Sequence, residues 1–202
     1  TYIFDQNQPN PVDVLIEIVR SAVFVGKQFK RPIISVVPCN TFHAPILFND
    51  LMNRIKQEKL DEWFTLYDFV KETVLGIVET FSKIRKVGLL STSGTRKTLI
   101  YAQALEAQGI ELIQVTDEEQ LKVDDAIYNP VDGLKALSKA SSRTKELLRN
   151  YVQTLRVQGA EKVILGCTEF PLAFEDLESE EREELIDPMR LVAQRLIHMA
   201  YQ

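Results

Sequence analysis

The sequence has 202 residues, 45% hydrophobic and 26% charged, enough apolar side chain for one large or two small folded domains and too much for a disordered chain. Its 29 acidic against 24 basic residues give a net charge of −5, which opposes phosphate-backbone binding driven by counterion release, so no nucleic-acid partner is expected. No window approaches the roughly 20 consecutive apolar residues of a membrane-crossing helix, and the opening TYIFDQNQPNP has no basic segment before an apolar one, so a cytoplasmic protein with no membrane partner is expected.

The first periodic segment, Val12 to Phe29, carries Val14, Ile16, Ile18, Val19, Ala22, Val23 and Val25 on a wide apolar stripe, with Asp13 and Glu17 favouring the helix start. That pattern predicts a helix packed on a sheet. Strands follow at Ile33 to Val37, Phe64 to Tyr67, Val87 to Leu90, Leu112 to Val115 and Lys162 to Leu165. Between and after them the helical period predicts Pro45 to Lys56, Lys71 to Lys83, Thr95 to Gln108, Lys135 to Gln158 and Pro188 to Tyr201. Gly109 and Gly159 sit where a helix C-cap precedes a buried strand. The charged cluster Lys83-Ile84-Arg85-Lys86 marks a domain break, and the acid-rich segment from Glu175 to Glu184 reads as a solvated connection without an active role. Strands alternating with helices give an α/β chain with parallel sheets, whose ligands sit at the C-terminal ends of the strands.

Three loops at such ends carry unusual residues: Pro38-Cys39-Asn40-Thr41-Phe42-His43, Ser91-Thr92-Ser93-Gly94-Thr95 and Gly166-Cys167-Thr168-Glu169-Phe170-Pro171. The first and third match each other, running apolar strand, cysteine, threonine, phenylalanine, proline, apolar segment, and Pro45 and Pro171 fit the first position of the helices that follow. Cys39 and Cys167 are the sequence's two cysteines, too few for a disulfide scaffold and without the C-x-x-C spacing of a zinc site, so no metal is expected. A thiol at a helix N-terminus should ionise below its ordinary pKa of about 8.5. Either cysteine could instead be a buried structural residue, but both occupy equivalent loops, which suggests a pseudo-symmetric site. His43 fits a cap or loop hydrogen bond, or a general acid or base beside Cys39. Glu169 fits a first-turn acid or a group that orients a substrate ammonium, and Thr41, Thr95 and Thr168 serve equally as N-caps or carboxylate donors.

These strings, together with Leu90 to Thr95 followed by Tyr101, Ile127-Tyr128, and Leu172 after the second cysteine loop, resemble the aspartate/glutamate racemase family over almost the whole chain. Ile186-Asp187-Pro188 is similar to that family's return helix. The resemblance implies a cofactor-independent amino-acid racemase of two similar α/β domains, with the active site in the cleft between them. It implies Cys39 and Cys167 as opposed acid/base thiols and Asn40, Thr41, Thr95 and Thr168 as carboxylate ligands. Thr92, Gly94 and Glu169 also fall on substrate-binding loops, with His43 and Lys135 as supporting groups. The expected domains are 1–83 plus 186–202, and 84–185. The substrate would be aspartate ahead of glutamate, with related isomerases acting on maleate, arylmalonates or hydantoins and a catalytically silent amino-acid-binding or regulatory protein as alternatives. A homodimer is implied by the resemblance alone. Relatives open with a strand and a glycine-rich loop, whereas this sequence begins at a segment similar to the family's second strand region, so the first domain is expected to lack its N-terminal strand in this chain. Where aspartate-specific relatives place a lysine, Asp132 stands here, with Lys135 close by.

Overall fold

The structure, a computed structural model, describes residues 7–201; residues 1–6 of the opening segment and residue 202 lie outside the described residues. Asn10 caps the first helix, α1 (Pro11–Phe29), by accepting from Val12 N at 3.0 Å, and Pro11 loses no hydrogen bond in the first turn. Val12, Ile16, Val19 and Val23 form its buried face. The apolar stripe read from the sequence is wider than the core it meets, since Val14, Ile18 and Val25 point to solvent along with Phe24 and Phe29. Beneath the helix lie β1 (Ile33–Val36) and β2 (Phe64–Tyr67), paired in parallel with Ile33 opposite Phe64. The crossover between them is α2 (Pro45–Gln57), which adds Leu47, Leu51 and Ile55 to the same core.

Asp68 caps α3 (Phe69–Thr80), so this helix starts two residues before the expected Lys71 and stops short of Lys83. It leads into a four-stranded parallel sheet of order β4-β3-β5-β6, with β3 at Lys86–Ser91, β4 at Glu111–Gln114, β5 at Lys162–Gly166 and β6 at Leu185–Ile186. The two-residue β6 is too short to show a period and had no signal in the sequence. Between β3 and β4 lie α4 (Ser93–Lys97) and α5 (Ile100–Glu106); α6 (Asp117–Tyr128) and α7 (Ser142–Val157) follow β4. The short α8 (Ser179–Arg182) falls in the acid-rich connection, and α9 (Pro188–Ala200) ends the described chain.

Strand residues alternate between the sheet's two faces, as a pleat requires. Val87, Leu89 and Ile164 face α3 and α5, meeting Val74, Ile77, Ile100 and Leu105, with Leu191 of α9 packed against the same cluster. Leu90, Val163 and Leu165 face α6 and α7, meeting Val123, Ile127, Leu148 and Leu155. A parallel sheet covered on both faces explains why its strands read as continuous apolar runs.

Three helix predictions change. The segment Thr95 to Gln108 is two helices, broken at Leu99, whose φ of 57° is left-handed. The segment Lys135 to Gln158 becomes helical only at Ser142, because Ser141 caps the helix there through Thr144 N. Finally, α6 had no predicted counterpart although Thr116 and Glu119 form a reciprocal capping box at its start. We expect Thr116→Ala to lower the unfolding free energy by about 1 kcal/mol in urea titrations. Gly109 and Gly159 have positive φ, as their positions between helix and strand predicted. Among the described residues no helix is long and apolar enough to cross a membrane.

Candidate active site

The first cysteine loop leaves β1 through a tight turn in which Cys39 N–H donates to Val37 O at 2.8 Å, and a four-residue 3-10 turn, Asn40–His43, follows. Cys39 is exposed and Asn40 is buried. The His43 ring is buried beneath the loop, where Nε2 donates to the Val37 carbonyl at 2.9 Å and Nδ1 lies 3.5 Å from Asp68 Oδ1. Burial lowers its pKa below the ordinary value, so the ring is neutral near pH 7 and serves as a loop hydrogen bond. Pro45 then takes the first position of α2, as expected.

The second loop meets the first directly. Thr92, rather than Thr95, caps α4 by accepting from Thr95 N at 3.2 Å. Thr41 Oγ1 lies 2.8 Å from Thr95 Oγ1 and 3.4 Å from Thr92 Oγ1, and Thr92 and Thr95 are 3.2 Å apart, so three hydroxyls from two loops share one cluster. Gly94 permits this approach, since a Cβ there would sit 3.1 Å from Thr41 Cγ2. Behind the loop, Ser93 donates both its backbone N–H and its hydroxyl to Asp124, while Gln120 Nε2 donates to Ser91 O at 2.9 Å. Both supporting side chains belong to α6. The sequence reading missed them together with that helix, although the capping box pointed to it.

At the end of β5 the third loop places Cys167 almost fully buried, with 6% of its surface exposed. Its Sγ donates to Glu169 Oε2 at 2.9 Å, and Thr168 Oγ1 donates to the same oxygen at 2.9 Å. Lys135 Nζ lies 3.6 Å from Glu169 Oε1 and 5.2 Å from the centre of the Tyr128 ring. Burial opposes the charge of Glu169, but the donors from Cys167 and Thr168 and the Lys135 ammonium outweigh it, holding this carboxyl below its usual range. Burial first, and then the Glu169 carboxylate, push the Cys167 pKa up to about 12.

This corrects the expectation of a depressed thiol at Cys167. The loop runs into a 3-10 turn of four residues, Phe170–Ala173, with Pro171 inside it, so no α-helix dipole stands behind the sulfur, which instead donates to an anion. Glu169→Gln should therefore lower that pKa. With Cys39→Ser leaving one thiol, iodoacetamide labelling of Cys167 at pH 8 should speed up about tenfold for each unit of that shift. An unchanged rate would remove Glu169 from the account.

Lys135 reaches this position because residues 129–135 fold back on the end of α6. Gly133 N donates to Asn129 O at 3.0 Å and Lys135 N to Ile127 O at 3.1 Å. A Cβ on Gly133 would lie 2.5 Å from Asn129 O, so a side chain there would push the segment out. Burial opposes protonation of Lys135, yet the neighbouring groups, the Glu169 carboxylate foremost, raise its pKa. Asp132 turns elsewhere and pairs with Arg143 at 3.2 Å. The structure thus sets Asn40 directly after Cys39 with His43 buried beneath the first loop, gathers Thr41, Thr92 and Thr95 in one hydroxyl cluster, and gathers Cys167, Thr168 and Lys135 around the Glu169 carboxylate. Tyr128 joins them. Among the described residues no cluster of three or more His, Cys, Asp or Glu is placed to hold a metal ion.

Of the two thiols, one is exposed and the other is buried against a carboxylate. Residues 69–196 match the family model described as Asp/Glu/Hydantoin racemase. A glutamate racemase of Ectopseudomonas mendocina is 31% identical over 112 residues, a stretch covering 54% of this chain and 40% of that enzyme. Among solved structures, an aspartate racemase homologue of Pyrococcus horikoshii superposes with a TM-score of 0.66 at 24% identity, covering 97% of this chain and 78% of that one. The aspartate racemase of Picrophilus torridus gives 0.69 at 18% identity, covering 98% and 73%. At these identities the structural likeness is one of fold, and it agrees with the parallel α/β architecture. The match of the family model over more than half the sequence establishes that this chain belongs to the Asp/Glu/hydantoin racemase family.

Proposed function

We propose that the chain racemises an acidic amino acid, aspartate ahead of glutamate, by proton transfer between Cys39 and Cys167 without a cofactor. The observation that carries this reading is the presence of matched cysteine loops at the C-terminal ends of β1 and β5, the second holding Cys167 against Glu169 with Lys135 beside that carboxylate. Inversion at the α-carbon needs a base on one face and an acid on the other, and one thiolate with one thiol supplies both. Cys167, held protonated against Glu169, starts as the acid, which leaves the first proton abstraction to Cys39. Removal of the α-proton by Cys39 leaves a carbanion, which takes the Cys167 proton on the opposite face. The roles are then exchanged. The hydroxyls of Thr41, Thr92 and Thr95 suit an α-carboxylate as donors, and Lys135 suits the side-chain carboxylate.

Circular dichroism of pure L-aspartate and pure L-glutamate incubated with the protein tests this directly. Decay of the signal to zero for aspartate, faster than for glutamate, is the expected result; a signal that persists for both would overturn the reading. Chelators and carbonyl-trapping reagents should leave the rate unchanged.

A further inference from the structure

We propose that Tyr101 is a positioning residue of this site: its buried hydroxyl fixes Asn40 so that the amide NH2, and not the amide oxygen, is the group offered to a substrate carboxylate. The inference rests on the racemase reading for the identity of the ligand. Its structural half stands apart from it.

Tyr101 lies in the first turn of α5, just after the left-handed break at Leu99, and packs into the core shared by α3, α5 and the four-stranded sheet. Only 1% of its surface is exposed. Its Oη donates to Asn40 Oδ1 at 2.7 Å, a buried bond between residues 61 apart in sequence that ties the first cysteine loop to the helix after the second loop. Burial holds the phenol pKa well above its usual value, so this group is a donor at every working pH.

A primary amide has two faces of opposite character, and half a turn about its last side-chain torsion exchanges them. Asn40 follows Cys39 directly in the first cysteine loop, and on the racemase reading the face left over is the one offered to the substrate. A hydroxyl that donates selects the amide oxygen as its partner, which leaves the two N–H groups for an anion. Were the amide reversed, its oxygen would meet a carboxylate oxygen, two acceptors with no proton between them. Tyr101 thus sets the polarity of a substrate ligand without touching the substrate.

Tyr101→Phe removes the hydroxyl and keeps the ring in the core. The expected result is a KM for aspartate raised roughly tenfold, the size of one lost neutral hydrogen bond, with kcat nearly unchanged, because the carboxylate is held alike in ground and transition states. Asn40→Ala should raise KM similarly, and Tyr101→Phe added to it should raise KM no further. Two increases that multiply would overturn the inference and mark Tyr101 as a packing residue. A readout independent of turnover is the Asn40 side-chain carbonyl 13C resonance, which should move upfield in Tyr101→Phe when the oxygen loses its donor. An unmoved resonance with turnover intact would sink this inference alone. A parent protein inert toward both amino acids would sink the racemase reading, and with it the role given to the amide.

Discussion

Cys39→Ser and Cys167→Ser should each lower racemisation by roughly a thousandfold or more, the scale on which a positioned acid or base contributes, because a serine hydroxyl does not ionise in the range where a thiolate serves as base. The loss should not be symmetrical in kind. On the proposed two-thiol mechanism each variant keeps one thiol on one face of the α-carbon, and that thiol can still remove a proton and return one to the same face. In deuterium oxide, one variant should exchange the α-hydrogen of one enantiomer with retention and the other variant that of its antipode, both well below the parent rate. Proton NMR of L- and D-aspartate follows this exchange, while chiral chromatography follows inversion. If either variant inverted aspartate at the parental rate, the two-thiol mechanism would be wrong. The buried Cys167 and the exposed Cys39 should also differ in labelling, with iodoacetamide reaching Cys39 first and aspartate protecting it.

Phe170→Ala should cost about 3–5 kcal/mol of unfolding free energy, as a fully buried aromatic ring is replaced by a cavity. For a chain of this length the midpoint of thermal unfolding should fall by about 10 °C. The ring is fully buried in the cluster that joins α6, α7 and the third loop, and the Phe170 backbone N–H donates to the Cys167 carbonyl at 3.1 Å. The variant therefore tests packing and site at once. Calorimetry should show the lower midpoint, and Cys167 should label faster in the folded protein because its cover has loosened. A midpoint within about 2 °C of the parent would mean that the surrounding side chains collapse into the space.

What the sequence reveals and what it hides follow the physics of each segment. Strands buried on both faces, such as Lys162–Gly166, are legible because burial demands unbroken apolar runs. Both cysteine loops could be found because each strand end is sharply marked by a change from apolar to polar residues. By contrast, α6 was missed because its first turn is acidic and its buried residues, Gln120, Val123, Ala126 and Ile127, include a polar one that works on the neighbouring loop. The break at Leu99 was hidden because a left-handed leucine leaves no sequence mark where glycine would. Lys135 was visible as a residue near the site, but the fold-back that delivers it depends on Gly133, Asn129 and Ile127 in three dimensions. The Cys167 pKa went the wrong way for a similar reason. Loop similarity to the first cysteine does not report that the partner two residues on is a carboxylate facing the sulfur.

The cluster of Thr41, Thr92 and Thr95 bears on stereochemistry. An enzyme that inverts a centre must accept both hands of its substrate, whose carboxylates enter at different tilts as the α-carbon passes from one face to the other. A guanidinium would grip one plane and favour one antipode, since its forked donors are rigid. A hydroxyl hydrogen swings about its own C–O bond while the oxygen stays in place. On the racemase reading, three such rotors exchange their bonds to one another for bonds to a carboxylate and follow its tilt without any heavy atom of the protein moving, so such a cradle is indifferent to handedness and leaves the choice of face to the two sulfurs.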